Sequence, residues 1–238
     1  MLKSVLLRVP MAYEAVQSLR DSAFLKAATS RGTYSQHGED IQIMHMLVEA
    51  AARGPYVDVG CNHPFKLSNT FLLYLNGWRG MSVDPLPRFS RLHRRWRPED
   101  RFFGVAVGET QSQLPLYEFE SDVLSTLDSA IAAEYQRQGH RLWRTSVVRV
   151  ERLDNLLAQS GLSAPLSILS IDIEGHELPA LKSLDLAHWR PELICLEALT
   201  ANGQRNSDAI DHISVNGYRV VADLGLNVVF QRRRGLPS

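Results

Sequence analysis

The stretch from Gly54 to Pro87 constrains the fold more than any other part of the chain. It reads Gly-Pro-Tyr-Val-Asp-Val-Gly-Cys-Asn-His-Pro, then a polar-to-apolar segment, then Gly-Trp-Arg-Gly-Met-Ser-Val-Asp-Pro. A tight β-branched run after a Gly-Pro break predicts a short buried strand over Tyr56 to Val59. Gly60 ends it where the chain must turn sharply. Ser68 to Leu75 is expected to be a helix, with Ser68 capping its free N–H groups and Gly77 closing it. Met81 to Val83 is expected to be a second strand, with Asp84 at its carboxyl end. The unit is therefore strand–helix–strand, with one acid, Asp58, after Val57 and another after Val83. In a doubly wound sheet, ligands bind outside the carboxyl ends of such strands, and an acid ending the second strand suits the two hydroxyls of a ribose.

The residues after the first strand narrow the choice of nucleotide. A dinucleotide site calls for Gly-x-Gly-x-x-Gly, so that backbone can approach a pyrophosphate. This chain offers Gly60 alone, followed by Cys61, Asn62, His63 and Pro64. A ligand with a ribose, a sulfonium and an amino-acid end fits better, which points to S-adenosylmethionine. Asp58 either holds its ammonium or caps a turn, and Asn62 can bond either end of an amino acid. His63, followed by Pro64, is read as setting the turn rather than as a ligand.

Five further motifs carry a family resemblance. Ser35-Gln36-His37-Gly38-Glu39-Asp40, Val57-Asp58-Val59-Gly60-Cys61-Asn62-His63-Pro64, Ser68-Asn69-Thr70, Gly77-Trp78-Arg79-Gly80 and Asp172-Ile173-Glu174-Gly175-His176-Glu177 occur in that order. Together, from about Thr33 to about Glu197, they resemble the FkbM family of methyltransferases. The resemblance implies a class I methyltransferase fold: α/β, Rossmann-like and doubly wound, with a mostly parallel seven-stranded sheet and an antiparallel last strand. It implies S-adenosylmethionine as donor and a hydroxyl of a sugar, glycan, polyketide or similar small molecule as acceptor. It places the loop of Gln36 and Glu39 beside the donor pocket, and Ala106 and Val107 near the adenine. It likens Ser121 to Leu127 to the segment preceding the family's variable region, where acceptor contacts are expected. Residues 1–32 are read as an N-terminal helical extension or lid, and residues 33–238 as the methyltransferase domain.

In chain order, Met1 to Arg31 is mixed and helical in part; covering the sheet, forming a lid and pairing with another subunit all remain open. Gly38 to Ala52 is expected to be an amphipathic helix, with Ile41, Met44, Leu47, Val48 and Ala51 on one face. Asp40 is read as complementing that helix's dipole. Pro87 to Trp96 is a predicted helix; Arg88, Arg91, Arg94, Arg95 and nearby Arg97 are read as a solvated face. Arg101 to Val107, Gln113 to Phe119 and Thr145 to Val150 are predicted strands. Ser121 to His140, between the last two, is polar and irregular with a helical piece. Leu153 to Ser160 is a predicted helix. Leu166 to Ile173 is a near-continuous apolar run, as expected of a central parallel strand. The helix Glu177 to Leu184 follows, with Pro179 in its first turn, and then a fifth strand over Glu192 to Leu199. Asp208 to Asn216 closes the helices. Tyr218 to Ala222 and Asn227 to Gln231 form a terminal hairpin, with the antiparallel last strand at the sheet edge.

Methyl transfer to a hydroxyl needs alignment and an acceptor for the proton. Asp172, Glu174 and His176 sit where the fourth strand opens towards the cleft, and they are the candidate catalytic residues. His176 has the unperturbed pKa of a base near neutrality. Asp172 or Glu174 either orients it or holds the donor's amino group; alternatively Glu174 caps the next helix and His176 packs beneath it. The candidate donor-binding residues are Gln36, Glu39, Asp58, Gly60, Asn62, Asp84, Ala106 and Asp172. No metal is assigned. Mg²⁺ or Mn²⁺ on Asp172, Glu174 and His176 is the lesser alternative, and it requires the chain to bend after Ile173.

Lys and Arg number 26, as do Asp and Glu, so no global field draws the chain to nucleic acid or anionic membrane. Of 238 residues, 45% are hydrophobic and 22% charged, which suits one α/β domain. Cys61 and Cys195 are expected to be reduced and buried, no apolar run reaches membrane-span length, and no cleavage site follows the N-terminus. The expected setting is cytoplasmic, with a small-molecule acceptor, no nucleic acid, no membrane and a homo-oligomer possible. An RNA 2′-O-methyltransferase and a non-catalytic nucleoside-binding module are the competing readings; the missing glycine pattern argues against a nicotinamide oxidoreductase.

Overall fold

The computed structural model describes residues 10–199 and 203–233. Residues 1–9, with the apolar Val5, Leu6 and Leu7, lie outside the described residues. Two helices lead in, α1 (Pro10–Arg31) and α2 (Glu39–Glu49). Strands β1 (Tyr56–Val59) and β2 (Gly80–Val83) follow, with the short helix α3 (Phe71–Leu75) between them. Helix α3 starts three residues later than the sequence suggests, because Ser68 Oγ accepts the Thr70 and Phe71 N–H groups ahead of the first turn. Helix α4 (Pro87–Trp96) leads to β3 (Arg101–Phe103).

The main sheet has seven strands, adding β7 (Ile168–Ile171), β8 (Leu193–Glu197), β9 (Tyr218–Asp223) and β10 (Asn227–Arg232). Its order is β3-β2-β1-β7-β8-β10-β9. Strand β1 pairs in parallel with β2 and with β7, so Val59 lies level with Val83 and Ile171. This aligns the carboxyl ends of the three central strands. Strand β10 is antiparallel to both β8 and β9. The class I methyltransferase arrangement expected from the sequence is thus present, but the last strand is not at the edge. Its Val228, Val229 and Phe230 are buried, as a strand covered on both faces requires. In β9, Arg219 and Val220 are exposed, which suits an edge.

The segment read as one strand from Arg101 to Val107 is two. The chain leaves the main sheet at Gly104, and β4 (Ala106–Val107) pairs with β6 (Leu142–Glu151), itself antiparallel to β5 (Ser112–Phe119). Glycine inside a strand pattern commonly marks such a break. The connection from β5 to β6 contains a 3₁₀ turn at Asp122–Leu124 and helix α5 (Ser129–Arg137), N-capped by Asp128. Helices α6 (Leu153–Ser160), α7 (Glu177–Lys182), α8 (Leu186–Trp189) and α9 (Ser207–Val215) complete the elements. One core cluster joins Val57, Val83, Leu169, Ile171, Leu196 and Phe230 to α6, α7 and α9; a second packs α2 through Ile43 and Leu47 on the other face. The final turns of α1 pack through Phe24, Leu25 and Ala28 against Tyr34, Phe65 and Phe71. Among the described residues, no helix is long and apolar enough to cross a membrane. Both cysteines are free and buried.

Candidate active site

The carboxyl ends of β2, β1, β7 and β8 open into one cavity of about 520 Å³, within the usual range of about 300–1,000 Å³ for small-ligand sites. Gln36, Glu39, Asp58, Gly60, Asn62, Asp84, Ala106, Asp172, Glu174 and His176 all line it. Gly60 turns at φ +79°, and a Cβ there would stand 1.7 Å from the Asp172 carbonyl oxygen, so only glycine lets β1 end this close to β7.

At the β2 end, Asp84 Oδ2 accepts the Asn62 N–H at 3.0 Å and Oδ1 accepts the Leu86 N–H at 2.8 Å. Each oxygen keeps a further lone pair, and Asp84 lines the cavity. Burial pushes the Asp84 carboxyl up to about 7, against the lowering effect of those two N–H groups. Ala106 and Val107 are buried against the same end.

Asp58 is committed elsewhere. Its Oδ2 accepts the Thr70 hydroxyl, and Arg97 Nη1 lies 3.7 Å away. Arg97 is 1% exposed and also reaches Asp100 at 3.3 Å and the Thr70 hydroxyl at 2.6 Å. It is not part of a solvated face: the helix ends at Trp96, and the guanidinium turns inward over the Tyr56 and Phe71 rings to match Asp58's charge. Arg88 likewise pairs, with Asp122 at 2.7 Å and Glu118 at 3.5 Å.

The loop before α2 is held from within. Asp40, fully buried, accepts the Thr33 hydroxyl, the Tyr34 N–H and the Ser35 hydroxyl. It organises the loop rather than merely complementing a helix dipole. Glu39 is 1% exposed and accepts the His37 N–H at 2.7 Å and Asn227 Nδ2 at 3.3 Å. Burial pushes the Glu39 carboxyl up, but hydrogen bonds from His37, Ser35 and Asn227 outweigh it and hold the group below its usual value.

At the β7 end, the chain bends as convergence requires: Glu174 has φ +51° and Gly175 φ +96°. Glu177, not Glu174, holds this turn, accepting the Ile173 and Gly175 N–H groups and Asn206 Nδ2. The bend brings Asp172 and Glu174 together, but it carries His176 away. A Cβ on Gly108 would lie 3.2 Å from His176 Nε2, and the acid His176 feels is Asp128. No hydrogen bond joins His176 to Asp172 or Glu174 among the described residues. Burial lowers its pKa, with Asp128 opposing, so the imidazole is neutral at neutral pH.

In place of His176, the third member beside Asp172 and Glu174 is Glu197, at the end of β8. One carboxylate oxygen from each lies within 4.8 Å of the others. Asp172 is open to the cavity yet ringed by protein, so burial governs it, pushing it up to about 6 with help from Glu177. Glu174 is pushed up to about 8 by burial and then by Asp172. Glu197 rises well above the carboxylate range for the same two reasons. The three titrate together rather than singly. Tyr135 of α5 donates its hydroxyl to Glu174 Oε2, and Thr126 donates to the Glu174 carbonyl at 2.8 Å, tying the β5–β6 connection to this cluster. Val123, Leu124 and Leu127 of that connection give the cavity an apolar lining. Glu197 was legible by the rule that found Asp84, an acid ending an apolar strand; Tyr135 carries no such signal.

The family described as "Methyltransferase FkbM domain" matches residues 58–220. No curated protein matches the sequence. Among solved structures, the chain is similar to a TehB-like SAM-dependent methyltransferase from Corynebacterium glutamicum, at 12% identity and TM-score 0.46, over 92% of this chain and 100% of that one. It is similar to a methyltransferase from Geobacter sulfurreducens at 11% identity and TM-score 0.46, over 90% and 88%. It is also similar to a Burkholderia thailandensis 1,6-didemethyltoxoflavin-N1-methyltransferase, which holds 1,6-didemethyltoxoflavin and S-adenosylhomocysteine, at 10% identity and TM-score 0.40, over 94% and 88%.

Proposed function

The chain belongs to the FkbM methyltransferase family, and from that membership we propose that it moves a methyl group from S-adenosylmethionine to a hydroxyl of a small molecule such as a sugar, glycan or polyketide. The observation that carries this reading is one cavity lined by a ribose-competent acid, Asp84, by the neutral imidazole of His176 and by the acids Asp172, Glu174 and Glu197. The donor supplies an electrophilic methyl on a sulfonium. Asp84 accepts the ribose hydroxyls, with Ala106 against the adenine. Asn62 and the Gly60 turn face the middle of the donor. Glu39, ionised and anchored, stands with Gln36 towards its amino-acid end, while Asp172 lies with Glu174 on the acceptor side; Asp58, already matched by Arg97, keeps only a supporting part.

The acceptor enters past Val123, Leu124 and Leu127. Its hydroxyl oxygen bonds to the methyl carbon, the carbon–sulfur electron pair stays with sulfur, and the proton passes to His176, which burial keeps neutral. Asp172 and Glu174 orient the hydroxyl. Alignment alone contributes up to about 7–11 kcal/mol. The test incubates purified protein with methyl-labelled donor and a panel of sugars, glycans and polyketides, with an RNA pool alongside. Label on a small-molecule oxygen supports the proposal; label on RNA alone, or on nitrogen alone, overturns it.

A further inference from the structure

We propose that Asp172, Glu174 and Glu197 form a divalent-cation site, Mg²⁺ or Mn²⁺ by its all-oxygen donor set, beside the position of the acceptor hydroxyl. The three carboxylates are near enough to close on one ion. Each offers an oxygen within 4.8 Å of the other two, and two oxygens bound to one Mg²⁺ at about 2.1 Å stand at most about 4.2 Å apart, so an ion would draw them together by rotation of the side chains. Their strands are fixed independently: Asp172 follows β7, Glu197 ends β8, and the two strands pair in parallel with Ile171 level with Leu196. Glu174 is brought in by its left-handed backbone and held by Tyr135.

Two unsatisfied acceptors point to a ligand, and one of them, Asn227 Oδ1, lies outside the charge cluster. Glu197 Oε2 is fully enclosed and receives no hydrogen bond. Across the ladder, Asn227 sits opposite Glu197, is 7% exposed, lines the same cavity, and leaves its Oδ1 without a partner. Its amide orientation is fixed, because Nδ2 must face the acceptor-only carboxylate of Glu39. Buried acceptors are normally satisfied. Among the described residues, no Lys or Arg pairs with Asp172, Glu174 or Glu197. Oxygen ligands without a thiol or imidazole select hard cations. The cation's role, fixing the acceptor oxygen, rests on the reading of the protein as an O-methyltransferase; its binding does not.

The test titrates Mn²⁺ into the chelator-stripped full chain and follows free Mn²⁺ by electron paramagnetic resonance. One saturable site is expected, weakened at least about tenfold in Glu197→Gln and in Glu174→Gln, since such affinities track ligand charge. Thermal unfolding of each variant verifies the fold; removing a crowded carboxylate charge leaves it at least as stable. Mn²⁺ binding is expected to persist when S-adenosylhomocysteine is added in excess. No saturable site in the wild type, or wild-type affinity retained in both variants, overturns the proposal. Loss of the site on adding S-adenosylhomocysteine overturns it too, because the acids then serve the donor's ammonium. If Mn²⁺ binds but no hydroxyl acceptor is methylated, the functional reading fails and the site stands. If methylation proceeds fully in excess chelator, the site's role fails and the functional reading stands.

Discussion

The affinity for the donor should fall about tenfold between pH 8 and pH 6, and Asp84 is the reason. Its carboxyl is held up to about 7 by burial. Only the ionised form accepts from both ribose hydroxyls while also accepting the Asn62 and Leu86 N–H groups. With a pKa of about 7, the ionised fraction is about nine-tenths at pH 8 and about one-tenth at pH 6, a loss of about 1.4 kcal/mol. The sign follows from the raised value: protonation on the acidic side removes the binding form, so affinity rises with pH and levels off above about 8. Calorimetry of S-adenosylhomocysteine at pH 6, 7 and 8 reads it directly, and binding at pH 6 should release a proton to the buffer. Asp84→Asn keeps one acceptor oxygen for two N–H groups and two hydroxyls. It should weaken binding by about 1.5–3 kcal/mol, or about 10- to 150-fold, and its affinity should no longer depend on Asp84's titration. A dissociation constant flat across this range in the folded wild type, or a variant that keeps the wild-type pH slope, would refute the assignment.

Three other perturbations separate roles. His176→Ala should lower kcat by about 10²- to 10⁴-fold with donor affinity nearly unchanged; full kcat would remove the base role from this residue. Arg97→Ala should cost about 3–5 kcal/mol in denaturant unfolding, because it strands Asp58 and Asp100 as buried, uncompensated charges, and a cost under about 1 kcal/mol would contradict the inward-turned guanidinium. Asp40→Ala should free the Thr33 to Ser35 segment, seen as faster amide exchange there and weaker donor binding, because three donors lose their shared acceptor; unchanged exchange would refute it.

Most of the sheet was readable because its strands are buried on both faces and therefore written as mostly apolar runs with few polar breaks. Tyr56–Val59, Leu166–Ile173 and Glu192–Leu199 are of this kind. The acids that end them followed from the same pattern. The misreadings came where tertiary partners decide. Arg97 follows four other arginines in the sequence, and only the position of Asp58 behind it shows that it turns inward. The position of β10 depends on which of two hairpin strands is covered, a property of the neighbouring helix and not of the hairpin. His176 and Glu197 exchanged places because the Glu174–Gly175 bend rotates the chain by an amount that spacing does not encode. Tyr135 lies on a helix that has no feature of its own to mark it; its contact with Glu174 exists only once the β5–β6 connection folds over the cavity.

The insertion of β10 between β8 and β9 sets an order of events during synthesis. Glu197 emerges from the ribosome early relative to Asn227, yet the two face each other across one ladder. Until residues 227–232 arrive, β8 presents an open edge to other chains or to its own, and β9 has no sheet to join. The wall of the cavity formed by Asn227 is therefore among the last parts of the site to be made. A nascent chain stalled before Asn227 would carry the motifs of its family without a finished cleft, so binding competence should switch on as residues 227–232 are added and not grow with length.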